Sequence, residues 1–277
     1  MPFHLTGTLV KLRSLISADV DVIIPVYQDF DLQLTTDGDS PPLTDVQVRA
    51  FWEEIISGPG PTIRYFGIEP QPGQIGESTL VGACSLQQID PRNRHAELSI
   101  FMLNTAVRGQ GYGTEATRLL LDYAFEVVRL DKVYLGVYEF NEAGLRAYEK
   151  AGFRYEGRLK QMLYYEGRYH DEWSMRMLRS EWERIKRAPA DGLRPYHPAD
   201  LGAALALIQR EHGLSDAQTA RGLLRRWWRQ IDRELYCYQL SGKVVGLAVI
   251  DLENGTPYEM IADPAHQLLL TSLLEER

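Results

Sequence analysis

One short run, RGQGYGTEA over residues 108–116, constrains this chain more than any other. Three glycines fall within five positions at the mouth of an amphipathic stretch, TEATRLLLDYAFEVV. An alternating segment, HAELSIFML, precedes them, and a second one, KVYLGVY, follows the helical stretch. This is strand, loop, helix, strand. Glycine costs backbone entropy, so a chain keeps it at a helix start where something must approach the main chain closely, most often a phosphate.

The flanking sequence supplies the rest of the frame. LTGTLVKLR (5–13) reads as a strand, and Ser17-Ala18-Asp19 opens an amphipathic segment running to about Phe30. DFDLQLTTDGDSPPLT is a loop by its Asp, Gly and Pro content, and a helix over Val46–Ile56 is stopped by GPGP. TIRYFGIE, STLVGACSL and HAELSIFML are strands with short joins, which predicts an antiparallel meander. NEAGLRAYEKAG is a second short helix with a glycine stop, and the chain to Leu178 reads as two more strands. The expected fold class is therefore α+β: a mixed sheet with helices on its faces.

Composition removes several functions. A net charge of −8 and a pI near 5.4 argue against a nucleic-acid partner. No run approaches the roughly 20 apolar residues of a membrane span, and the first residues lack the layout of a signal peptide. Cys84 and Cys237 are far apart in apolar, strand-like contexts, as expected of two free thiols in a reducing cytoplasm. Neither a catalytic cysteine nor a metal site is expected.

Three chemistries could use the glycine loop. A nucleotide P-loop is excluded, because no Lys-Ser or Lys-Thr pair follows the last glycine. A dinucleotide fingerprint is satisfied by Gly111, Gly113 and Ala116, with Glu139 at the end of the next strand. Against it, residues 104–108 separate the loop from its strand, and the crossing follows about a hundred residues that read as antiparallel. An NAD-dependent oxidoreductase thus stays open as the minor alternative. In the third reading, Arg108-Gly109-Gln110-Gly111-Tyr112-Gly113 resembles the R/Q-x-x-G-x-G/A signature of the GNAT N-acetyltransferase superfamily. NEAGLRAYEKAGF resembles that family's second conserved helix. GRLKQMLYYEGRYHDEWSMRML is similar to the end of the branch that includes ribosomal-protein N-terminal acetyltransferases. The resemblance covers roughly residues 5–180.

The resemblance implies the GNAT acyl-CoA N-acyltransferase fold and acetyl-CoA as cofactor. Its pyrophosphate would lie on Arg108, Gly109, Gln110, Gly111, Tyr112, Gly113 and Thr114, where a helix N-terminus and inward-turned amides favour an anion. Phe101, Met102 and Leu103 would offer main-chain groups to the pantetheine arm where two strands splay, and Asn141 would hydrogen-bond that arm. Tyr148 would return a proton to the departing thiolate, as suits a phenol with an ordinary pKa near 10. Glu97, a carboxylate in an apolar strand, would take the amine proton, with His170 and Asp171 as second candidates. The acceptor would be a small-molecule amine or a peptide N-terminus. Asp29, Asp31, Asp37 and Asp39 in the loop between the first two helices would draw a cation to the cleft. A regulatory protein that binds acyl-CoA without turnover is the alternative from a different class.

About ninety residues remain beyond such a domain. The expected division is an acetyltransferase domain over 1–185, a linker over 186–192 around Pro189-Ala190-Asp191-Gly192, and a smaller α/β domain over 193–277. LRPYHPADLGAALALIQR echoes the opening strand and helix, LYCYQLSGKVVGLAVIDLENG reads as a hairpin around Ser241-Gly242, and PYEMIADPAHQLLLTSLLEER resembles a cofactor strand and helix without glycines. That predicts a truncated second copy of the fold's front half, with a structural, dimerising or cleft-shaping role. Trp227-Trp228 would anchor an interface or fill its core.

Overall fold

The computed structural model describes residues 5–29, 43–58, 60–74, 80–103, 107–186, 192–196, 200–231, 233–241, 243–251, 253, 257–262, 266–267 and 270–271. The chain divides into two units, Met1–Ala151 with Arg158–Arg179, and Gly152–Gly157 with Ser180–Arg277.

The first unit runs β1 (Val10–Arg13), α1 (Ser17–Ile23), a 3-10 turn (Ile24–Gln28), α2 (Asp45–Ser57), β2 (Arg64–Pro70), β3 (Gly82–Asp90), β4 (His95–Met102), α3 (Tyr112–Asp122), β5 (Lys132–Tyr138), α4 (Glu142–Ala151), most of β6 (Arg154–Tyr165) and β7 (Arg168–Leu178). Its seven-stranded sheet has the order β1-β2-β3-β4-β5-β7-β6. β2 to β4 form the expected antiparallel meander, and β1 adds to it antiparallel to β2. The crossover through α3 then makes β5 parallel to β4, and β7 returns antiparallel to β5. The sheet is mixed, as its sequence predicts.

Two boundaries differ from expectation. Residues 5–13 are not one strand: the Gly7 amide donates to the Val10 carbonyl and the Leu12 amide to the Leu5 carbonyl, each at 2.8 Å, so the chain doubles back before β1. The first helix ends at Ile23 and tightens to a 3-10 turn, because Pro25 has no amide to continue the α ladder. Phe30 and Asp31, Asp37 and Asp39 of the acidic loop lie outside the described residues.

Alternation along the strands sorts the sheet's two faces. On one, α1 and α2 cover Tyr65, Ala83 and Phe101, with the Trp52 ring edge-on to Tyr65 and Phe101 at 5.4 and 6.0 Å. Such ring pairs contribute about 0.5–1.5 kcal/mol each beyond burial. On the other, Ala96 and Leu98 are buried and Tyr123, at the end of α3, meets Phe66. The face carrying Phe101 also carries Glu97 and Ser99.

β4 and β5 pair over only three residues, His95–Glu97 against Lys132–Tyr134. β4 continues to Met102 on β3, and β5 to Tyr138 on β7. Past Glu97 and Tyr134 the two strands share no further pairing, and the sheet opens between them.

The helix that follows is held from a distance. Glu115, in the first turn of α3, accepts from the Thr8 amide (3.0 Å) and hydroxyl (2.7 Å), the Leu9 amide (2.6 Å) and the Val10 amide (2.7 Å). Gly7 leaves room for it, since a Cβ there would stand 2.5 Å from the carboxylate. Burial pushes the Glu115 carboxyl up, but the Thr8, Val10 and Leu9 donors together outweigh it and hold it below its ordinary value. Glu115→Ala is expected to lower stability at neutral pH by about 2–3 kcal/mol, because three amides, those of Leu9 and Val10 partly buried, lose a charged acceptor. A carboxyl depressed in the folded state stabilises above its unfolded value and loses that contribution as pH falls through the folded one. The gap between wild type and variant in urea midpoints should therefore close on acidification; a gap that does not change with pH would contradict the assignment.

The second unit carries most of α5 (Arg179–Lys186), then β8 (Gly192–Pro195), α6 (Leu201–Glu211), α7 (Ala217–Trp228), β9 (Arg233–Leu240), β10 (Lys243–Asp251) and β11 (Pro257–Ala262). Its sheet order is β11-β10-β9-β8, antiparallel throughout. β9 and β10 form the expected hairpin, with Ser241 at φ +50° in the turn. Asp216 caps α7 by accepting the Thr219 amide at 2.7 Å. Trp227 and Trp228 are buried, the Trp228 ring edge-on to Tyr196 at 5.2 Å and the Trp227 ring tilted against His212 at 6.2 Å. Cys84 and Cys237 are both buried. Among the described residues no helix is long and apolar enough to cross a membrane, and no group of three or more His, Cys, Asp or Glu could hold a metal.

Candidate active site

A cavity of about 450 Å³ opens beside the parted end of β4, walled by the start of α3 and one face of α4. Ile100, Phe101 and Met102 line its sheet side. Arg108, Gly109, Gly111, Gly113 and Thr114 line the loop and helix side. Asn141 and Tyr148 complete the α4 side. The structure thus gathers into one cavity residues spread over nearly fifty positions.

Backbone geometry explains the glycines. Gly109 and Gly111 have φ of +76° and +91°, left-handed values that cost other residues about 1–2 kcal/mol. Gly111 is the N-cap of α3 and offers no side-chain acceptor, so the first amides of the helix are left to whatever enters the cavity. A Cβ on Gly109 would meet nothing within 4 Å, which leaves the approach to the main chain open. Thr117 turns its hydroxyl back onto the Gly113 carbonyl at 2.8 Å and holds the first turn.

Not every expected residue arrives in the cavity. The Leu103 amide donates to the Val81 carbonyl at 3.0 Å and its side chain packs under α1 and α2; Phe101, in register with Ala83, shares that parity and turns its main chain to β3, so of the three expected residues Met102 is the one whose main-chain groups face the opening. Gln110 is exposed and does not line the cavity. Tyr112 lines it, but its ring is among the largest fully buried side chains, so only its backbone is offered. Asn141 caps α4, its Oδ1 accepting the Gly144 amide at 2.9 Å. Gly144 is needed for that cap, since a Cβ there would stand 2.8–3.1 Å from the Asn141 amide group.

Sequence reasoning missed Gly144, Arg146 and Lys150, which line the cavity from α4. Only Gly144, three residues from Asn141, stood at a helical spacing that could have pointed to it. Arg146 pairs with Glu142 at 2.7 Å, one turn away. Arg118, on α3, donates to the Lys150 carbonyl at 2.5 Å and ties the two helical walls together.

Tyr148 is buried, and burial pushes its phenol up to about 12. It is therefore a proton donor throughout the physiological range. Glu97 is half-buried on β4 beside Tyr134 of β5, at the last paired position before the strands part. Burial raises its carboxyl above the ordinary value, and Gln88 donates to its Oε2 at 2.7 Å. It does not line the cavity; it sits on the sheet face covered by α1 and α2.

His170 and Asp171 belong to another device. Asp171 pairs with Arg158 at 2.6 Å and Lys160 at 2.8 Å, and accepts the Gln161 amide at 3.0 Å. The Lys160 hydrogen bond, followed by that of Gln161, holds its carboxyl down at about 2, so it is a poor base. His170 is buried, with Nε2 3.2 Å from the Tyr165 carbonyl and its ring edge-on to Phe140. Both brace the β6–β7 hairpin. Glu139, the acid a dinucleotide ribose would need, is paired with Arg158 at 2.8 Å.

The loop geometry fits an acyl-CoA: an anion-ready helix start, left-handed glycines that keep side chains off the main chain, and a slot between parted strands. Comparison with known proteins agrees. Residues 10–154 match the model of the acetyltransferase (GNAT) domain. YdaF of Bacillus subtilis (strain 168), whose name assigns it provisionally to ribosomal N-acetyltransferases, is 35% identical over 120 residues, 43% of this chain and 64% of its own length. The spermidine N(1)-acetyltransferase of Escherichia coli (strain K12) is 31% identical over 112 residues, 40% of this chain and 60% of its own. The chain thus spans about three fifths of the length of these curated relatives. The crystal structure of spermidine N-acetyltransferase from Vibrio cholerae in complex with CoA and spermine superposes with a TM-score of 0.56 at 25% identity, over 64% of this chain and 99% of that one. With the family match spanning more than half of its 277 residues, the chain belongs to the GNAT acetyltransferase family.

Proposed function

We propose that this chain is an acetyl-CoA-dependent N-acetyltransferase that moves an acetyl group directly to a primary amine. The observation that supports it most is the parting of β4 and β5 beyond Glu97 and Tyr134, next to a cavity lined by the glycine start of α3 and by Tyr148. Acetyl-CoA, when bound, supplies the activated acetyl thioester. Gly109, Gly111 and Gly113 give their amides to its pyrophosphate, with Arg108 adding charge at the exposed rim. Met102 offers its main-chain groups to the pantetheine arm, and a backbone amide there polarises the carbonyl. Glu97, raised by burial, takes the amine proton directly or through water, and Tyr148 keeps a proton for the departing sulfur.

The acceptor is a small cationic amine or a peptide N-terminus. The names of the relatives favour the first, and Asp29 with the acidic stretch that follows it in sequence suits a cation. The test is a screen of spermidine, spermine and short peptides with free N-termini, read as free thiol released from acetyl-CoA. Thiol release that depends on one amine and yields its acetylated product supports the reading. Micromolar binding of acetyl-CoA without turnover of any amine would favour the regulatory alternative, and binding of NAD alone would end it.

The second unit we read as a degenerate copy of the first unit's front half. Both sheets run four strands in sequence order, with two helices between the first strand and the second. The stretch after β11, where a copy would carry its phosphate loop, contains no glycine, and Asp263–Ala265 lie outside the described residues. Such a copy has no cradle for coenzyme A, and its role is structural.

A further inference from the structure

The walls of the cavity carry more positive charge than one diphosphate uses. Arg108, Arg146 and Lys150 line it, and among the described residues no Asp or Glu does. That is a marked bias in a chain with 38 acidic and 30 basic residues. Arg108 belongs to the glycine loop, whereas the other two cations come from α4.

Helix geometry divides the α4 wall into two strips. Asn141, Gly144 and Tyr148, spaced by three and four, form one, which ends on a buried phenol. Ala143, Arg146 and Lys150, also spaced by three and four, form the other, and all three are exposed. The first strip holds groups assigned to the acetyl transfer. The second lies at the rim and has no part in that chemistry. Arg146 and Lys150 stand one turn apart on one helix face, with about 5–6 Å between such Cβ atoms, so a single phosphate can meet both.

Neither cation is firmly held elsewhere. Lys150 has no ion-pair partner among the described residues. Arg146 pairs with Glu142 at 2.7 Å, but the two side chains are 48% and 64% exposed, and such a pair holds loosely in water. The backbone beneath them is fixed, since the Arg118 guanidinium of α3 donates to the Lys150 carbonyl at 2.5 Å.

We propose that Arg146 and Lys150 form a second phosphate seat, apart from the glycine loop, which takes a phosphate monoester on the nucleotide end of the cofactor and selects for its presence. The inference rests on reading the cavity as an acyl-CoA site. Coenzyme A carries two kinds of phosphate: a diphosphate within its chain and a monoester on the 3′ oxygen of its ribose. The diphosphate suits the first amides of α3 and Arg108. A monoester, with a second pKa of about 6, carries between one and two negative charges at neutral pH and three acceptor oxygens. A guanidinium fork and an ammonium together match that charge and those acceptors. The site would thereby prefer the complete cofactor to its 3′-dephospho form, which presents the same arm and the same diphosphate. A lysine in the last turn of α4 also complements the helix dipole, and the Glu142 pair supports the helix. Those roles are blind to the third phosphate.

Calorimetric titration of the full chain with CoA and with 3′-dephospho-CoA tests the seat without turnover. Wild type is expected to bind CoA about 10- to 100-fold more tightly, the span for hydrogen bonds to a charged group. In Arg146→Gln/Lys150→Gln the preference should shrink to about twofold or less, through loss of CoA affinity alone. Arg108→Gln should weaken both ligands alike, because both carry the diphosphate. A variant that merely folds less well also weakens both alike, so the ratio is what reports the seat. Equal affinity of wild type for the two ligands overturns the inference, as does a preference that survives the double substitution; the cofactor reading stands in either case. Failure of wild type to bind either ligand overturns the cofactor reading itself, and this inference with it.

Discussion

Gly111→Glu is expected to weaken binding of both acetyl-CoA and free CoA by at least about 100-fold in calorimetric titration, roughly 3 kcal/mol. Two effects add. At φ +91° any side chain is strained, by about 1–2 kcal/mol, and the new Cβ would press on Leu9 Cδ1 at 3.2 Å. The glutamate also brings a negative charge to the N-terminus of α3, where the positive end of the helix dipole would otherwise serve the pyrophosphate. Gly111→Ala separates the two: strain without charge should cost about tenfold. Gly109→Ala is a useful companion, since its φ is also left-handed but its Cβ would meet nothing. Wild-type affinity in Gly111→Glu, with an unchanged circular dichroism spectrum, would show that this loop does not hold the cofactor.

The second large effect belongs to Glu97. Glu97→Gln should lower kcat by about 10² to 10⁴, the usual contribution of a positioned base, with CoA affinity intact because Glu97 lies outside the cofactor cavity. The pH dependence is the sharper sign. A base must be ionised to act, and burial raises this carboxyl, so wild-type turnover should climb with pH through a midpoint above the ordinary glutamate value of about 4.3. The Gln variant should lack that limb. Turnover of Glu97→Gln within a few-fold of wild type would move the proton transfer to another group or to water.

The glycine loop, the meander and the α4 segment were legible because each is local: a few adjacent residues decide the backbone, and the periodicities of 2 and 3.6 report the rest. Asn141 and Tyr148 could be placed on one helix from spacing alone. The failures were of a different kind. That Leu103 turns its amide to Val81 depends on the pairing of β3 with β4, which no local pattern fixes. Gly7 and Gly136 read as ordinary strand glycines, yet each makes room for a carboxylate on another element. His170 and Asp171, chemically attractive in sequence, proved to be taken up by Arg158, Lys160 and the Tyr165 carbonyl. Residue type indicated which chemistry was available; partners elsewhere in the chain decided whether it was free to act.

The Glu115 clamp has a consequence for how the molecule is made. Its donors lie 105 to 107 positions ahead of the acceptor, so the chain's first strand emerges and waits while about a hundred residues are synthesised. Closing so long a loop is entropically costly, and contacts of that span slow folding. Until it closes, the start of α3 has no anchor on β1, and the anion seat is without its brace. Cofactor binding competence should therefore be among the last properties the nascent chain acquires, set by an acid that never touches the cofactor.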